Sequence, residues 1–202
     1  DLHSFPTRRS SDPGGPDPGA VGRSGTLEKD VVLQVARLLT PMLNRSAVYT
    51  LSLRDGDYDM VEKEGAVPSG SRKREDLGLR VNLARLEGAD LYISLHANSF
   101  PSARWRGAQT FYYPGKDDDK KLAEAIQHHL LKMDPVNTRT ARPGEYFVLR
   151  EAAMPAVVIE LGFLSHPEEE KLLKTPDHQR GLAQAIHDGI VDYLVGAFQP
   201  LP

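Results

Sequence analysis

Residues 156–160 read Ala-Val-Val-Ile-Glu, an apolar run that ends in a carboxylate. An uninterrupted apolar run of this length is typical of a β-strand that is covered on both faces. Residues 91–95, Leu-Tyr-Ile-Ser-Leu, predict a second short buried strand. Helical patterns separate the predicted strands, and such alternation indicates an α/β fold. We therefore expect a single layered domain, with a mostly parallel or mixed sheet that is flanked by helices.

The other elements follow from the period of the apolar residues. Helices are predicted from residue 27 onward and at 77–87, 117–133 and 179–198, and further strands at 47–53, 109–113 and 146–149. Pro41 is expected to kink or end the first helix. The polar stretches 58–75 and 134–144 contain Gly and Pro and are predicted to be loops.

Composition excludes several classes of protein. The 202 residues carry 25 Lys and Arg against 28 Asp and Glu, and this net charge of −3 is not the basic excess of a nucleic-acid-binding protein. The hydrophobic fraction of 40% with 26% charged residues is globular composition. The longest apolar run, 152–159, is far shorter than the roughly 20 residues of a membrane-spanning helix. Cysteine is absent, so any metal must be held by histidine and carboxylate.

The first residues differ from the rest of the chain. Residues 1–11, Asp-Leu-His-Ser-Phe-Pro-Thr-Arg-Arg-Ser-Ser, show neither a strand period nor a helix period, and no signal peptide is visible in them. We interpret them as a non-native or disordered tail, and residues 12–202 as the folded domain. Residues 12–19, Asp-Pro-Gly-Gly-Pro-Asp-Pro-Gly, then form a loop, because Pro and Gly interrupt helices and strands.

Three ionisable residues occupy positions where α/β domains often carry chemistry. His96 follows one predicted strand and Glu160 closes another, and binding groups gather beyond strand ends in such sheets. Glu28 lies in the first turn of the first helix, directly after the loop. Each also has a structural explanation: a hydrogen-bonded histidine, a salt bridge or cap for Glu160, and the helix dipole for Glu28. Their types suit zinc, but their spacing matches no compact metal motif.

Four motifs, taken in order, resemble those of the zinc-dependent N-acetylmuramoyl-L-alanine amidases. They are the loop 12–20, Glu28-Lys29-Asp30, Ser94-Leu95-His96-Ala97-Asn98 and Ile159-Glu160-Leu161-Gly162-Phe163-Leu164-Ser165. The stretches 111–114 and 146–152 resemble the branch of that family that acts on spore-cortex peptidoglycan in germination. The resemblance extends from Asp12 to about Tyr193.

The resemblance implies cleavage of the amide between N-acetylmuramic acid and L-alanine in peptidoglycan. It also implies that Glu28 and His96 are ligands of Zn²⁺ and that Glu160 is the catalytic carboxylate. Zinc would polarise the carbonyl and acidify its bound water, and Glu160 would carry the proton to the leaving amine. Peptidoglycan is then the expected partner. We expect an exported monomer that acts in the cell wall, the periplasm or the spore cortex.

One departure from the family pattern bears on activity. The family loop reads Asp-Pro-Gly-His-Gly-Gly and its histidine is the first zinc ligand, whereas residues 12–15 read Asp-Pro-Gly-Gly. His3 would replace that ligand only by accident. The family also has an apolar strand before this loop, which residues 1–11 do not supply, so we expect the first strand to be lost. Weakened zinc binding and low activity are therefore expected. The alternative is a non-catalytic homologue that binds peptidoglycan.

Overall fold

The computed structural model describes residues 13–67 and 70–196. Four strands in this part of the chain form one sheet in the order β1-β4-β2-β3. The strands are β1 (Tyr92–Asn98), β2 (Gln109–Tyr112), β3 (Arg142–Pro143) and β4 (Ala156–Phe163). The central strand β4 runs parallel to β1 and antiparallel to β2, and β2 runs parallel to β3. The expectation of one α/β domain with a mixed sheet is confirmed.

Helices cover both faces of this sheet. They are α1 (Glu28–Arg45), α2 (Met60–Lys63), α3 (Arg72–Leu86), α4 (Asp117–Met133), α5 (Phe147–Glu151), α6 (Pro167–Leu173) and α7 (Pro176–Leu194). On one face, Val157 and Ile159 of β4 pack in a core with α1, α4 and α7. On the other face, Ala156 and Val158 pack against α3 and α5. All eight residues of β4 are buried, as its apolar sequence predicts.

Most of the predicted helices are confirmed. The predicted helix 117–133 coincides with α4, and the predicted helix 77–87 lies within α3 apart from its last residue. The last helix begins earlier than predicted, at Pro176, because proline is well accommodated in a first helical turn. The first helix continues past Pro41 to Arg45. None of the helices in the described ranges is long and apolar enough to cross a membrane.

The predicted strand 47–53 is not formed. This segment is irregular, and Ala47 adopts a positive φ of 60° directly after α1. Its first residues bond back to that helix, since the Val48 N–H donates to the Leu43 carbonyl and the Thr50 N–H to the Asn44 side chain. A strand requires a hydrogen-bonded neighbour. In residues 13–67 and 70–196 no strand pairs with this segment, so it does not form a strand despite its alternating sequence.

Three other predictions are wrong. The predicted strand 146–149 is the start of α5, in which Val148 and Leu149 are buried on consecutive positions. The predicted loop 58–75 contains α2 and the first turn of α3, because the Asp59 carboxylate caps α2 and also binds Arg72 at 2.7 Å. The predicted loop 134–144 includes the short strand β3.

Some expectations fall on residues outside the described ranges. These are the tail 1–11, with His3 as an accidental ligand, Asp12 at the start of the loop, and the end of the last predicted helix at 197–198.

Candidate functional site

His96 and Glu160 lie side by side within the sheet. The expectation that they stand at strand ends is wrong, because β1 continues to Asn98 and β4 to Phe163. The two residues are register partners in the parallel pair β1–β4, so both are at the same level of the sheet. On the other side of β4, Gln109 of β2 is the register partner of Glu160. His96, Glu160 and Gln109 are all buried. The pairing of the strands thus brings together two residues that the sequence singled out separately.

Glu28 of α1 contacts His96 directly. The His96 Nδ1 atom lies 2.9 Å from Glu28 Oε1, and both side chains are almost fully buried. The same oxygen accepts a hydrogen bond from the Ala97 N–H at 3.1 Å, while Glu28 Oε2 accepts one from the Ala20 N–H at 2.7 Å. The other imidazole nitrogen, Nε2, lies 2.9 Å from Ser94 Oγ. The first turn of α1, the loop before it and β1 therefore meet at one carboxylate.

The ionisation of Glu160 is altered by its burial. Burial raises the pKa of Glu160 to about 7, with the neighbouring charges of His96 and Arg139 opposing the rise and that of Glu28 adding to it. Its Oε2 atom is buried and has no hydrogen-bond partner in the described part of the chain. A carboxyl group with a pKa near the working pH can both take up and release a proton. The geometry and the ionisation of Glu160 are consistent with general acid–base chemistry.

Sequence reasoning missed two side chains beside Glu160. Arg139 donates to Gln109 Oε1 at 2.7 Å and stacks on Phe163, with 4.6 Å from its guanidinium carbon to the ring centroid. Burial lowers the pKa of Arg139, although the charges of Glu169 and Glu160 oppose this. Tyr146 is close enough to Glu160 for that charge, together with burial, to raise the pKa of its phenol. Arg139 follows no predicted strand and reaches the site through Gln109, while Tyr146 begins the segment 146–149 that was predicted as a strand and instead precedes α5.

Two side chains of the site are of types that bind zinc in proteins. Imidazole and carboxylate are the zinc ligands available to a chain without cysteine, and a catalytic zinc generally has three protein ligands. Glu28 and His96 are one carboxylate and one imidazole, 2.9 Å apart. Across residues 13–67 and 70–196, no group of three His, Asp or Glu side chains is arranged to hold a metal ion. The described residues therefore do not complete a catalytic zinc site.

The Gly-rich loop lies directly against Glu28. Gly19 adopts a φ of 69°, and a Cβ atom at this position would be 2.5 Å from Glu28 Oε2 and 2.8 Å from Pro13 Cβ. Gly14 and Asp17 close a turn through backbone hydrogen bonds. Within this turn, the Gly15 N–H donates to the Asp57 side chain. The segment that begins at Pro13 thus packs on the same carboxylate that contacts His96.

Gly19→Ala should lower the stability of the fold by about 2–4 kcal/mol. A left-handed conformation costs an L-residue about 1–2 kcal/mol, and the new methyl group would also displace the buried Glu28 carboxylate. Thermal unfolding of the variant measures the loss. Gly25→Ala is the matched control, because Gly25 has a φ of 85° but nothing within 4 Å of an added Cβ. Equal losses for the two variants would show that the loop does not press on Glu28.

Comparison with known proteins identifies the family. The sequence profile described as N-acetylmuramoyl-L-alanine amidase matches residues 12–192. The chain belongs to this family. The amidase is 40% identical over 188 residues to the germination-specific N-acetylmuramoyl-L-alanine amidase of Bacillus subtilis, covering 93% of this chain and 78% of the relative. The resemblance to the germination branch is confirmed.

Solved structures of amidases share this fold. The CwlD amidase of Clostridioides difficile, in complex with the GerS lipoprotein, superposes with a TM-score of 0.85 at 33% identity, covering 91% of this chain and 94% of that chain. The catalytic domain of CwlV, from Bacillus (Paenibacillus) polymyxa var. colistinus, superposes with a TM-score of 0.77 at 32% identity, covering 90% and 93%. The amidase assignment therefore rests on both sequence and fold.

Proposed function

We propose that this amidase acts on peptidoglycan and belongs to the zinc-dependent enzymes that cleave the amide between N-acetylmuramic acid and L-alanine. The observation that carries the proposal is the buried contact between Glu28 and His96, with Glu160 beside His96 on the next strand. This contact supplies two of the three protein ligands of a catalytic zinc, and Glu160, a carboxyl group of pKa about 7, supplies the proton-transfer group of metal-assisted amide hydrolysis.

Each residue has a defined role in this proposal. Glu28 and His96 would hold two positions of the zinc ion, which supplies Lewis-acid polarisation of the scissile carbonyl when it is bound. Glu160 takes a proton from the attacking water and gives it to the leaving nitrogen of L-alanine, so that the C–N bond breaks and a lactyl carboxylic acid forms. Arg139 lies close enough to Glu160 to stabilise its ionised form.

The proposal includes low activity of the chain as it stands. The loop passes from Gly14 to Gly15 without the histidine that would be the remaining ligand. A site with two protein ligands holds zinc less tightly than one with three. A non-catalytic amidase homologue that binds peptidoglycan is the second candidate, and the same missing histidine favours it.

The setting of the proposed reaction follows from the relatives. We place the catalytic domain at residues 12–202 and its site of action in the cell wall or the spore cortex, because peptidoglycan lies there. The B. subtilis relative is named as germination-specific. We include a protein partner in the proposal, since the CwlD amidase was solved in complex with the GerS lipoprotein.

Insertion of His-Gly between Gly14 and Gly15 tests this proposal. The insertion point is one residue after Pro13, and a Cβ atom added at Gly19 would lie 2.8 Å from Pro13 Cβ and 2.5 Å from Glu28 Oε2, so the lengthened loop begins close to Glu28. We expect zinc affinity, measured by calorimetric titration, to rise by at least about 100-fold, since even groups that only orient zinc ligands contribute about 10- to 100-fold. Release of stem peptide from purified peptidoglycan should appear with zinc and disappear with a chelator.

A Ser-Gly insertion at the same point is the matched control, because it lengthens the loop equally without adding an imidazole. Full zinc stoichiometry with micromolar or tighter affinity in the unmodified chain would contradict the proposed impairment. An inactive His-Gly protein that binds zinc would show that the catalytic assignment is wrong. Retained binding to peptidoglycan in that case would favour the non-catalytic candidate.

A further inference from the structure

Arginine side chains gather on the β2 side of Glu160. Arg139 lies close enough to Glu160 for the two charges to interact. It also lies over the indole of Trp105, with 5.8 Å from its guanidinium carbon to the ring centroid. Arg104 lies over the same ring at 4.8 Å. One indole ring therefore holds two guanidinium groups together, at distances typical of cation–π contacts.

The Arg139 guanidinium is held at two of its three nitrogens. Its Nη1 atom donates to Gln109 Oε1 at 2.7 Å, and its Nε atom donates to the Arg106 carbonyl. Within the described ranges, the third nitrogen, Nη2, makes no hydrogen bond. Because the planar guanidinium is already oriented by the first two contacts, little conformational freedom is lost when Nη2 binds a ligand. A carboxylate is a preferred partner of such a group.

The carboxylates near Arg139 do not neutralise this group of arginines. Burial lowers the pKa of Arg139, and the charges of Glu169 and Glu160 oppose this. The neighbouring charge of Arg142 adds to the lowering. Glu169 is buried, and its two oxygens accept backbone N–H groups. Three arginines of this group are exposed, namely Arg104, Arg106 and Arg142. An anion bound among these side chains would offset the repulsion between them.

The strand order places Arg139 and the Glu28–His96 contact on opposite sides of Glu160. His96, Glu160 and Gln109 are register partners across β1, β4 and β2. Glu28 contacts His96 on the β1 side. Arg139 contacts Gln109 on the β2 side. In the proposed reaction, the carbonyl is polarised next to Glu28 and His96, and Glu160 gives its proton to the leaving nitrogen. The peptide attached to that nitrogen therefore extends toward Arg139.

The peptide that leaves carries an acidic group at a suitable distance. In peptidoglycan stems the residue after L-alanine is D-glutamate or its α-amide, D-isoglutamine. An extended residue spans about 3.3–3.6 Å, so the α-carboxyl carbon of this second residue lies about 6 Å from the leaving nitrogen. Since the charges of Arg139 and Glu160 interact, Nη2 is within reach of that group when Glu160 contacts the nitrogen.

We propose that Arg139, together with Arg104 and Arg142, binds the free α-carboxylate of the second stem residue, so that this chain prefers stems with D-glutamate over stems with D-isoglutamine. The carboxylate accepts a hydrogen bond from Arg139 Nη2, and the two exposed arginines add an attraction that salt screens. This inference rests on the proposed function, because it takes its orientation from the leaving nitrogen at Glu160. It concerns binding alone and needs no zinc.

Two compounds that differ in one group test the proposal. They are N-acetylmuramoyl-L-alanyl-D-glutamic acid and N-acetylmuramoyl-L-alanyl-D-isoglutamine, in which a neutral amide replaces the α-carboxylate. Their affinities for the unmodified chain without zinc are measured by calorimetry and by the fluorescence of Trp105, the single tryptophan. We expect the acid to bind at least about tenfold more tightly, because the amide lacks the hydrogen bond between charged groups. D-Glutamate alone should not displace it at the same concentration.

Arg139→Gln should reduce this preference to about threefold or less, while the affinity for the amide compound stays within a few-fold. A purely structural role would weaken the binding of both compounds equally and leave the ratio of their affinities unchanged. Arg85→Gln is the matched control, because it removes an exposed arginine in the last turn of α3 and should leave the ratio at the parental value. If Arg139→Gln does not fold, the double variant Arg104→Gln/Arg142→Gln replaces it and should lower the ratio by at least about threefold.

Equal affinity of the unmodified chain for the two compounds would overturn the proposal, as would an unchanged ratio in Arg139→Gln. Displacement by D-glutamate alone would show a non-specific anion-binding surface and would also overturn it. If purified peptidoglycan is still bound in these cases, the proposed function stands and only this inference fails. Failure to bind both compounds and peptidoglycan would contradict the proposed function together with it.

Discussion

Glu160→Gln, in the chain that carries the His-Gly insertion, is expected to lower the release of stem peptide by about 10²- to 10⁴-fold. This is the range that general acid–base catalysis contributes, and an amide side chain can neither take nor give the proton. Zinc affinity should stay within a few-fold, since Glu28 and His96 are intact. Burial raises the pKa of Glu160 to about 7, so above that pH the native state holds an unfavourable buried charge. Without zinc, the variant should therefore unfold at pH 8 at the same temperature as the zinc-free parent chain or at a higher one.

Asp119→Asn is the matched control for this variant. Asp119 is also a buried carboxylate whose pKa is raised chiefly by burial, but it bonds to the N–H of Ala156, the first residue of β4, four positions before Glu160. Its substitution should leave peptide release within a few-fold for the protein that remains folded. Retention of a tenth or more of the activity in Glu160→Gln would contradict the role of Glu160. Loss of zinc binding in that variant would show that Glu160 is a ligand.

The fold was predictable in those elements whose apolar residues in the sequence are the residues that the fold buries. The run 156–160 is apolar on both alternating faces because β4 is packed between two cores, and the whole of α4 shows a buried stripe. Prediction failed where the structure of a segment depends on which other segment of the chain it pairs with or packs against. The segment 47–53 has strand chemistry but no strand pairs with it in the described ranges, while 146–149 packs into a core as one turn of helix.

The residues of the candidate site likewise include some that the sequence could identify and one that it could not. Glu28, His96 and Glu160 could be identified because each borders an apolar pattern in the sequence, where an ionisable residue is conspicuous, although β1 and β4 continue past His96 and Glu160. Arg139 could not, because a basic residue in a polar stretch gives no local signal. It reaches the site through its hydrogen bond to Gln109, which the pairing of β2 with β4 places beside Glu160. Sequence patterns report burial, whereas such contacts depend on the register of distant strands.

Gly189→Val is expected to lower the free energy of unfolding by at least about 3 kcal/mol, at the upper end of the cost of overpacking a core. Gly189 of α7 faces α4, and a Cβ atom there would be 2.5 Å from Ile126 Cα and 2.8 Å from Ile126 N. These are backbone atoms, so the two helices would have to separate and the core between them would loosen. The corresponding fall in Tm is about 6–12 °C for a chain of this size, and thermal unfolding measures it directly.

Two further glycines allow the predicted loss of stability to be compared at three positions with different surroundings. Gly78 of α3 has nothing within 4 Å of an added Cβ, so Gly78→Val should stay within about 0.5 kcal/mol of the unmodified chain. At Gly181 of α7 the nearest atom is Met133 Cε at 3.2 Å, the end of a flexible side chain that can move aside. Gly181→Val should therefore fall between the other two. If Gly189→Val is no more destabilising than Gly78→Val, α4 and α7 are not held at the separation that the structure gives. The order of the three losses thus depends on whether a new methyl group meets backbone, a mobile side chain or open space.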